Sequence, residues 1–274
     1  MATVFGGKWS YIDGENALGP LRWHKCYIGA EPGHQSPIDI VTKDVTQDSS
    51  LGSLWNTYEP VANSTLTNDG RTLQLTFANN NNVLSGGPLT DEYQLAMIKF
   101  HWAATEESAG SEHMIDSQGH AIEVQLVHWN KTKYRNIGEA ITGEQGICIL
   151  AVFFQVGNEA NEGLDVIVDL LSKDEHKGCF STEVKAAIDP KIFFPAESEY
   201  WTYEGSLTTP PLTENVTWVI CQSSLILSED QMNVFRNIRN SHGDLMAKNS
   251  RPVCPINGRT IRSSDTLNNK HNDQ

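Results

Sequence analysis

Hydrophobic and polar residues alternate along much of this chain, and the alternation predicts strands. The segments "TLQLTF", "AMIKFHW", "AIEVQLVHW", "GICILAVFFQVG" and "NVTWVICQ" are rich in β-branched and aromatic residues and are bounded by Gly, Asn or Pro. The core of the fourth, "ICILAVFF", is apolar on both faces, as a central strand covered from both sides must be. In "IEVQLVHW" a period of two sends Glu123, Gln125 and Val127 to one face, and in "MIKFHW" it sends Lys99 and His101 to one face. If these two strands pair, four polar groups converge on one patch of sheet.

A period near 3.6 takes over in two places. In "NEGLDVIVDLLSKDE" Leu164, Ile167, Val168 and Leu171 fall on one stripe. In "SEDQMNVFRNIR" Ser228 followed by Gln231 reads as a capping box, with Met232, Phe235 and Ile238 on the buried side and Arg239 wet. Both read as helices lying on the surface of a sheet. "FANNNNVLSGG" reads as a solvated turn and "TLNNKHNDQ" as a frayed tail, with no internal repeat and no linker between them. The expectation is one α+β domain, mainly β, over residues 1–274, with its core at about 9–261 and a tail at about 264–274.

Composition narrows the function classes. A formal net charge of -14 disfavours nucleic acid and anionic membrane surfaces, which recruit clustered Lys and Arg. No apolar run reaches the roughly 18 residues of a membrane span. The opening "MATVFGGKWSYIDGE" lacks the apolar stretch of a signal peptide, so the expected compartment is the cytoplasm. A chain whose leader had been removed would look the same and be extracellular. Cys26, Cys148, Cys179, Cys221 and Cys254 are odd in number and spread out, which indicates reduced thiols rather than a disulfide frame or a zinc cluster. Sequons stand at Asn63, Asn130 and Asn215, about as many as an Asn-, Ser- and Thr-rich chain produces by chance.

Three stretches could carry chemistry. Lys99, His101, Glu123 and Gln125 would form either a site or a satisfied polar network inside the sheet. On spacing alone, a histidine beside a lysine reads first as structural. In "YWTYEGSLTTPP" two hydroxyls precede two prolines, so Thr208 or Thr209 is held rigidly, either as a functional hydroxyl or simply in a tight turn. "GSEHMID" reads as a capped turn with Glu112 exposed.

"QSPIDI", "LSGGPL", "FHW", "GSEH", "LVHWN", "YWTYEGSLTTPP", "VTW" and "RP" follow one another in an order and spacing similar to the α-class carbonic anhydrases, from Trp9 to about Ile261. The resemblance implies a large, mostly antiparallel twisted sheet flanked by short helices, with a conical cleft and a zinc ion on three histidines at its base. Lys99 and Gln125 stand in the places of two of those histidines, and His101 in the third. The chain therefore resembles an acatalytic carbonic anhydrase-related protein. An ammonium has no lone pair to give a metal, and a glutamine carbonyl is a poor zinc ligand beside imidazole.

The same resemblance assigns Glu123 to the carboxylate that orients the histidine whose place Gln125 takes, and Glu112 with Thr208 to the pair that orients zinc-bound hydroxide. Arg71 falls where the proton-shuttle histidine would be, and Val127, Ile149, Leu207 and Trp218 on the apolar wall that receives carbon dioxide. From these follow four expectations. Lys99 replaces the zinc electrostatically by pairing with Glu112 or Glu123, and the Gln125 amide donates to Glu123. No cofactor is expected, and the partner is another protein.

The alternative is a hydratase or esterase with an atypical zinc site built from His101 and His113 or His128, although His128 falls on the opposite face from Gln125. A third reading is a cleft that binds a small anion on Lys99 and Thr208. Secreted members of the family often carry a disulfide whose two places hold Ala30 and Leu212 here, which favours an unbridged, intracellular protein.

Overall fold

Alternation becomes sheet almost everywhere it was read. The computed structural model describes residues 9–12, 18–25, 33–105, 109–173, 178–195 and 199–264; Cys26, Ala30 and the tail beyond residue 264 lie outside them. Among the described residues the strands are β1 (Asp39–Ile40), β2 (Thr46–Gln47), β3 (Leu54–Asn56), β4 (Ser64–Asn68), β5 (Leu73–Phe77), β6 (Val83–Gly86), β7 (Leu89–Trp102) and β8 (Met114–Ile115). They continue with β9 (Ile122–Asn130), β10 (Ile147–Gly157), β11 (Phe180–Val184), β12 (Tyr200–Gly205), β13 (Val216–Cys221), β14 (Leu225–Ser228) and β15 (Arg262–Ser263).

Thirteen of these strands form one sheet whose main path runs β11-β4-β5-β7-β9-β10-β13-β12-β15-β2. Neighbours are mostly antiparallel, but β10 meets both β13 and β14 in parallel, so the sheet is mixed. The doubly apolar "ICILAVFF" segment lies in β10, between β9 and β13, and its side chains from Ile147 to Phe154 are all buried.

The sheet carries a core on each face. Phe100, Leu126, Leu150, Phe154 and Val219 belong to one cluster, joined by Ile167 and Leu171 of helix α1 (Asp165–Leu171) and by Met232 and Phe235 of helix α2 (Glu229–Arg236). Val127, Ile149, Phe153, Trp218 and Ile220 point the other way and join Ile38 and Ile40. Successive residues of β9 and β10 therefore divide between two cores, as a period of two requires.

The helical readings hold with shorter bounds. The first begins as a 3-10 turn, Glu162–Leu164, capped by Asn161, whose side chain accepts from the Gly163 N–H, and becomes α-helical only at Asp165. The second starts on the capping box: Ser228 Oγ accepts from the Gln231 N–H and Gln231 Oε1 from the Ser228 N–H, both at 3.2 Å. It ends at Arg236, so Ile238 reaches the core from the turn that follows. In the "LSGG" turn Gly86 has φ 74°, and a Cβ there would sit 2.5 Å from the Ser53 carbonyl oxygen.

The sequons are not alike. Asn63 is exposed, whereas Asn130 is buried and donates to Asp91 Oδ2 (2.9 Å) and the Gln145 carbonyl (3.2 Å). Asn215 donates to the Ala140 and Gly143 carbonyls. Cys148, Cys179, Cys221 and Cys254 are free thiols, and Leu212 is buried against Trp23. No helix among the described residues is long and apolar enough to cross a membrane.

Candidate functional site

Strands β7 and β9 pair antiparallel, with Lys99 opposite Gln125 and His101 opposite Glu123. The four polar side chains thus meet on the face of Val127 and Ile149. Glu112 arrives from the segment before β8 and is buried, where the sequence suggested exposure. The correction has a clear cause. Its Oε2 accepts Gln125 Nε2 at 2.8 Å and its Oε1 accepts the Arg251 N–H at 3.0 Å, so two donors replace the water it gives up.

Glu123 is held still more tightly. Its Oε2 accepts the backbone N–H groups of Glu112 (2.9 Å) and His113 (2.8 Å), and its Oε1 takes His113 Nδ1 and Gln125 Nε2, each at 2.9 Å. Burial pushes the Glu123 carboxyl up, but the His113 ring, foremost by charge and then by hydrogen bond, with His101 and Gln125 assisting, outweighs burial and holds it well below the ordinary carboxylate range. His113 Nε2 meets the Tyr203 hydroxyl at 2.7 Å, and that hydroxyl donates to Ser36 Oγ. A chain of buried polar contacts thus runs from Gln125 to Ser36.

His101 differs. Its Nδ1 donates to the Asn249 carbonyl at 2.8 Å, while Nε2 is buried without a hydrogen-bond partner and stands 3.6 Å from Glu112 Oε2. The Asn249 side chain also accepts from the Trp102 N–H and donates to the Phe100 carbonyl, clamping this end of β7.

The expected ion pair of Lys99 with Glu112 or Glu123 does not form. Lys99 Nζ donates to Thr209 Oγ1 at 3.4 Å, and no carboxylate among the described residues lies within ion-pair distance of it. The reason is local: the single Gln125 amide nitrogen already bridges Glu112 and Glu123, so neither carboxylate needs the ammonium. Burial lowers the Lys99 amine from its ordinary value, against the pull of Glu112 and, more weakly, Asp69. Gln125 does donate to Glu123, as expected, and to Glu112 as well.

The other sequence candidates fall nearby. Lys99, Gln125, Thr208 and Thr209 line a pocket of about 90 Å³ whose walls include Val127, Ile149 and Leu207. Trp218 does not line it; fully buried, it stacks on Tyr203 and meets the His113 ring edge-on. No hydrogen bond joins Thr208 to Glu112, whose oxygens accept from Gln125 Nε2 and the Arg251 N–H. Arg71 packs over Trp9 at 4.4 Å, donates to its carbonyl and pairs with Asp69 at 3.2 Å.

The donors present do not suit zinc. His101 offers one unpartnered nitrogen, Lys99 an ammonium, and Gln125 an amide whose nitrogen is fixed between two carboxylates. Both nitrogens of His113 are engaged. His128 turns to the opposite core, where Tyr58 meets its Nε2 at 2.7 Å.

Sequence reading missed Asn249 and Tyr11 and gave Arg251, the first residue of "RP", no role. Tyr11 carries a buried hydroxyl with no hydrogen-bond partner, and its titration is raised by burial first and by the Glu112 charge second. All three come from segments distant in sequence, and nothing local announces that they meet the site.

A family model described as eukaryotic-type carbonic anhydrase matches residues 18–265. Over 262 residues the chain is 40% identical to carbonic anhydrase 1 of Mus musculus, covering 93% of this chain and 98% of that protein. It is 38% identical to carbonic anhydrase 1 of Monodelphis domestica over 262 residues, covering 93% and 97%.

Proposed function

The chain belongs to the eukaryotic-type carbonic anhydrase family, and from that premise we propose that it is a member whose central pocket holds no zinc and does not hydrate carbon dioxide. A catalytic zinc needs three protein ligands and an open fourth position to bring bound water to a pKa near 7. The observation that carries the reading is the state of Gln125: its amide nitrogen donates to Glu112 and Glu123 at once, doing as a neutral side chain what a metal-bound imidazole would do there. Lys99 beside it brings a positive charge that a dication would have to displace.

What remains is a family fold put to recognition or regulation. The partner is another protein, and the net charge of -14 points to a partner with a basic surface.

A second reading, a hydratase or esterase with an atypical metal site, is favoured by the unpartnered His101 Nε2 beside Glu112 and by the printed names of the relatives. Stopped-flow measurement of carbon dioxide hydration by the purified chain, with and without added zinc, separates the two. We expect rates equal to buffer in both. Turnover that rises with zinc and disappears with a chelator would establish the second reading.

A further inference from the structure

The pocket between β7, β9, β10 and the 207–211 loop has a wall and a floor of opposite character. Met97, Val127, Ile141, Ile147, Ile149 and Leu207 make the wall apolar. Lys99, Thr208 and Thr209 supply the polar end. Lys99 is the only charged side chain lining it among the described residues, and its one hydrogen bond, to Thr209 Oγ1, is long at 3.4 Å. Among the described residues two of its three N–H donors are therefore unspent, and no carboxylate stands within ion-pair distance.

We propose that this pocket binds a short aliphatic monocarboxylate, its carboxylate on Lys99 and the Thr208 and Thr209 hydroxyls and its alkyl tail along the apolar wall. This rests on the reading that zinc does not occupy the pocket. Size supports it: at about 90 Å³ the pocket is far smaller than one that takes a drug-sized molecule, which suits a short ligand.

Charge sets the valence: the pocket offers the single positive charge of Lys99 among its described lining residues, which one carboxylate balances. The wall selects the tail, because a halide or bicarbonate gains nothing from Ile149 or Leu207. Gln125 takes no part, since its amide is already committed to Glu112 and Glu123.

The test is calorimetric titration of chelator-treated protein with formate, acetate, propionate, butyrate, chloride and bicarbonate, with zinc content measured on the same sample. Affinity is expected to rise about fourfold per methylene up to butyrate. Lys99→Met is expected to weaken butyrate at least about tenfold, as loss of a charge-assisted hydrogen bond does. Leu207→Ala is expected to weaken butyrate while leaving formate unchanged, and it reads the wall independently should Lys99→Met fail to fold.

Chloride or bicarbonate binding as tightly as butyrate would overturn the proposal. So would no saturable binding to the zinc-free chain, or binding that survives Lys99→Met. Zinc that stays bound through chelation would instead overturn the reading on which the proposal stands, and the zinc content of the sample tells the two failures apart.

Discussion

Lys99 and Gln125 face each other across the β7–β9 ladder, yet they do opposite things: Gln125 ties two buried carboxylates together, and Lys99 touches neither. The negative charge of Glu112 and Glu123 is met by hydrogen-bond donors, so the network stands without the ammonium.

Replacing Lys99 with Met should therefore not destabilise the chain. A neutral result or a small gain is expected, because the substitution removes a partly buried charge that pairs with no carboxylate among the described residues. The sign with pH follows from the lowered amine. Between its folded-state value and the ordinary 10.5, the unfolded chain holds the extra proton, so wild-type stability rises with pH in that window. Lys99→Met removes that rise. Urea unfolding at neutral and alkaline pH checks both, and a clear loss of stability would mean that Lys99 is paired after all.

Gln125→Leu should cost about 3–5 kcal/mol, the range for breaking a buried charged network, because Glu112 and Glu123 each lose a donor. Glu123 also sets an acid limit. Its carboxyl is held below the ordinary 4.5, so it contributes stability that is complete above that value and is lost as pH falls through the folded-state value. Acid unfolding followed by circular dichroism should shift to higher pH in Gln125→Leu.

How much of this was written in the sequence depends on the range of the forces involved. The meeting of Lys99, His101, Glu123 and Gln125 follows from a period of two in neighbouring strands, and the cap at Ser228 and Gln231 is set within four residues. Burial of Glu112 depends on the Arg251 N–H, which is 139 residues away, and the clamp on His101 depends on Asn249. Likewise, nothing local in "ICILAVFF" announces that β10 takes β13 and β14 in parallel. Charge alone assigns Lys99 a carboxylate partner, and a competing donor directly opposite it on the neighbouring strand decides otherwise.

The three sequons should behave differently in the folded product of a eukaryotic secretory host. Asn63 is exposed and open to a glycan, while the side-chain amides of Asn130 and Asn215 are spent on the fold. Peptide mass spectrometry is expected to find glycan at Asn63 alone, and occupancy at Asn130 would contradict the packing around it.

Lys99→His combined with Gln125→His should create a zinc site. Glu123 and the Asn249 carbonyl are already placed to orient the imidazoles at 125 and 101, as carboxylates and carbonyls around a metal do. The double variant is expected to bind one zinc per chain and to gain carbon dioxide hydration; a folded double variant that binds none would show that the three positions do not converge.

The most direct measurement is elemental analysis of the wild-type chain, purified without chelator from cells grown in zinc-rich medium. A chain whose pocket is completed by Gln125 and Lys99 should carry zinc far below one ion per molecule. Stoichiometric zinc, lost on Ala substitution of His101, would contradict that account outright.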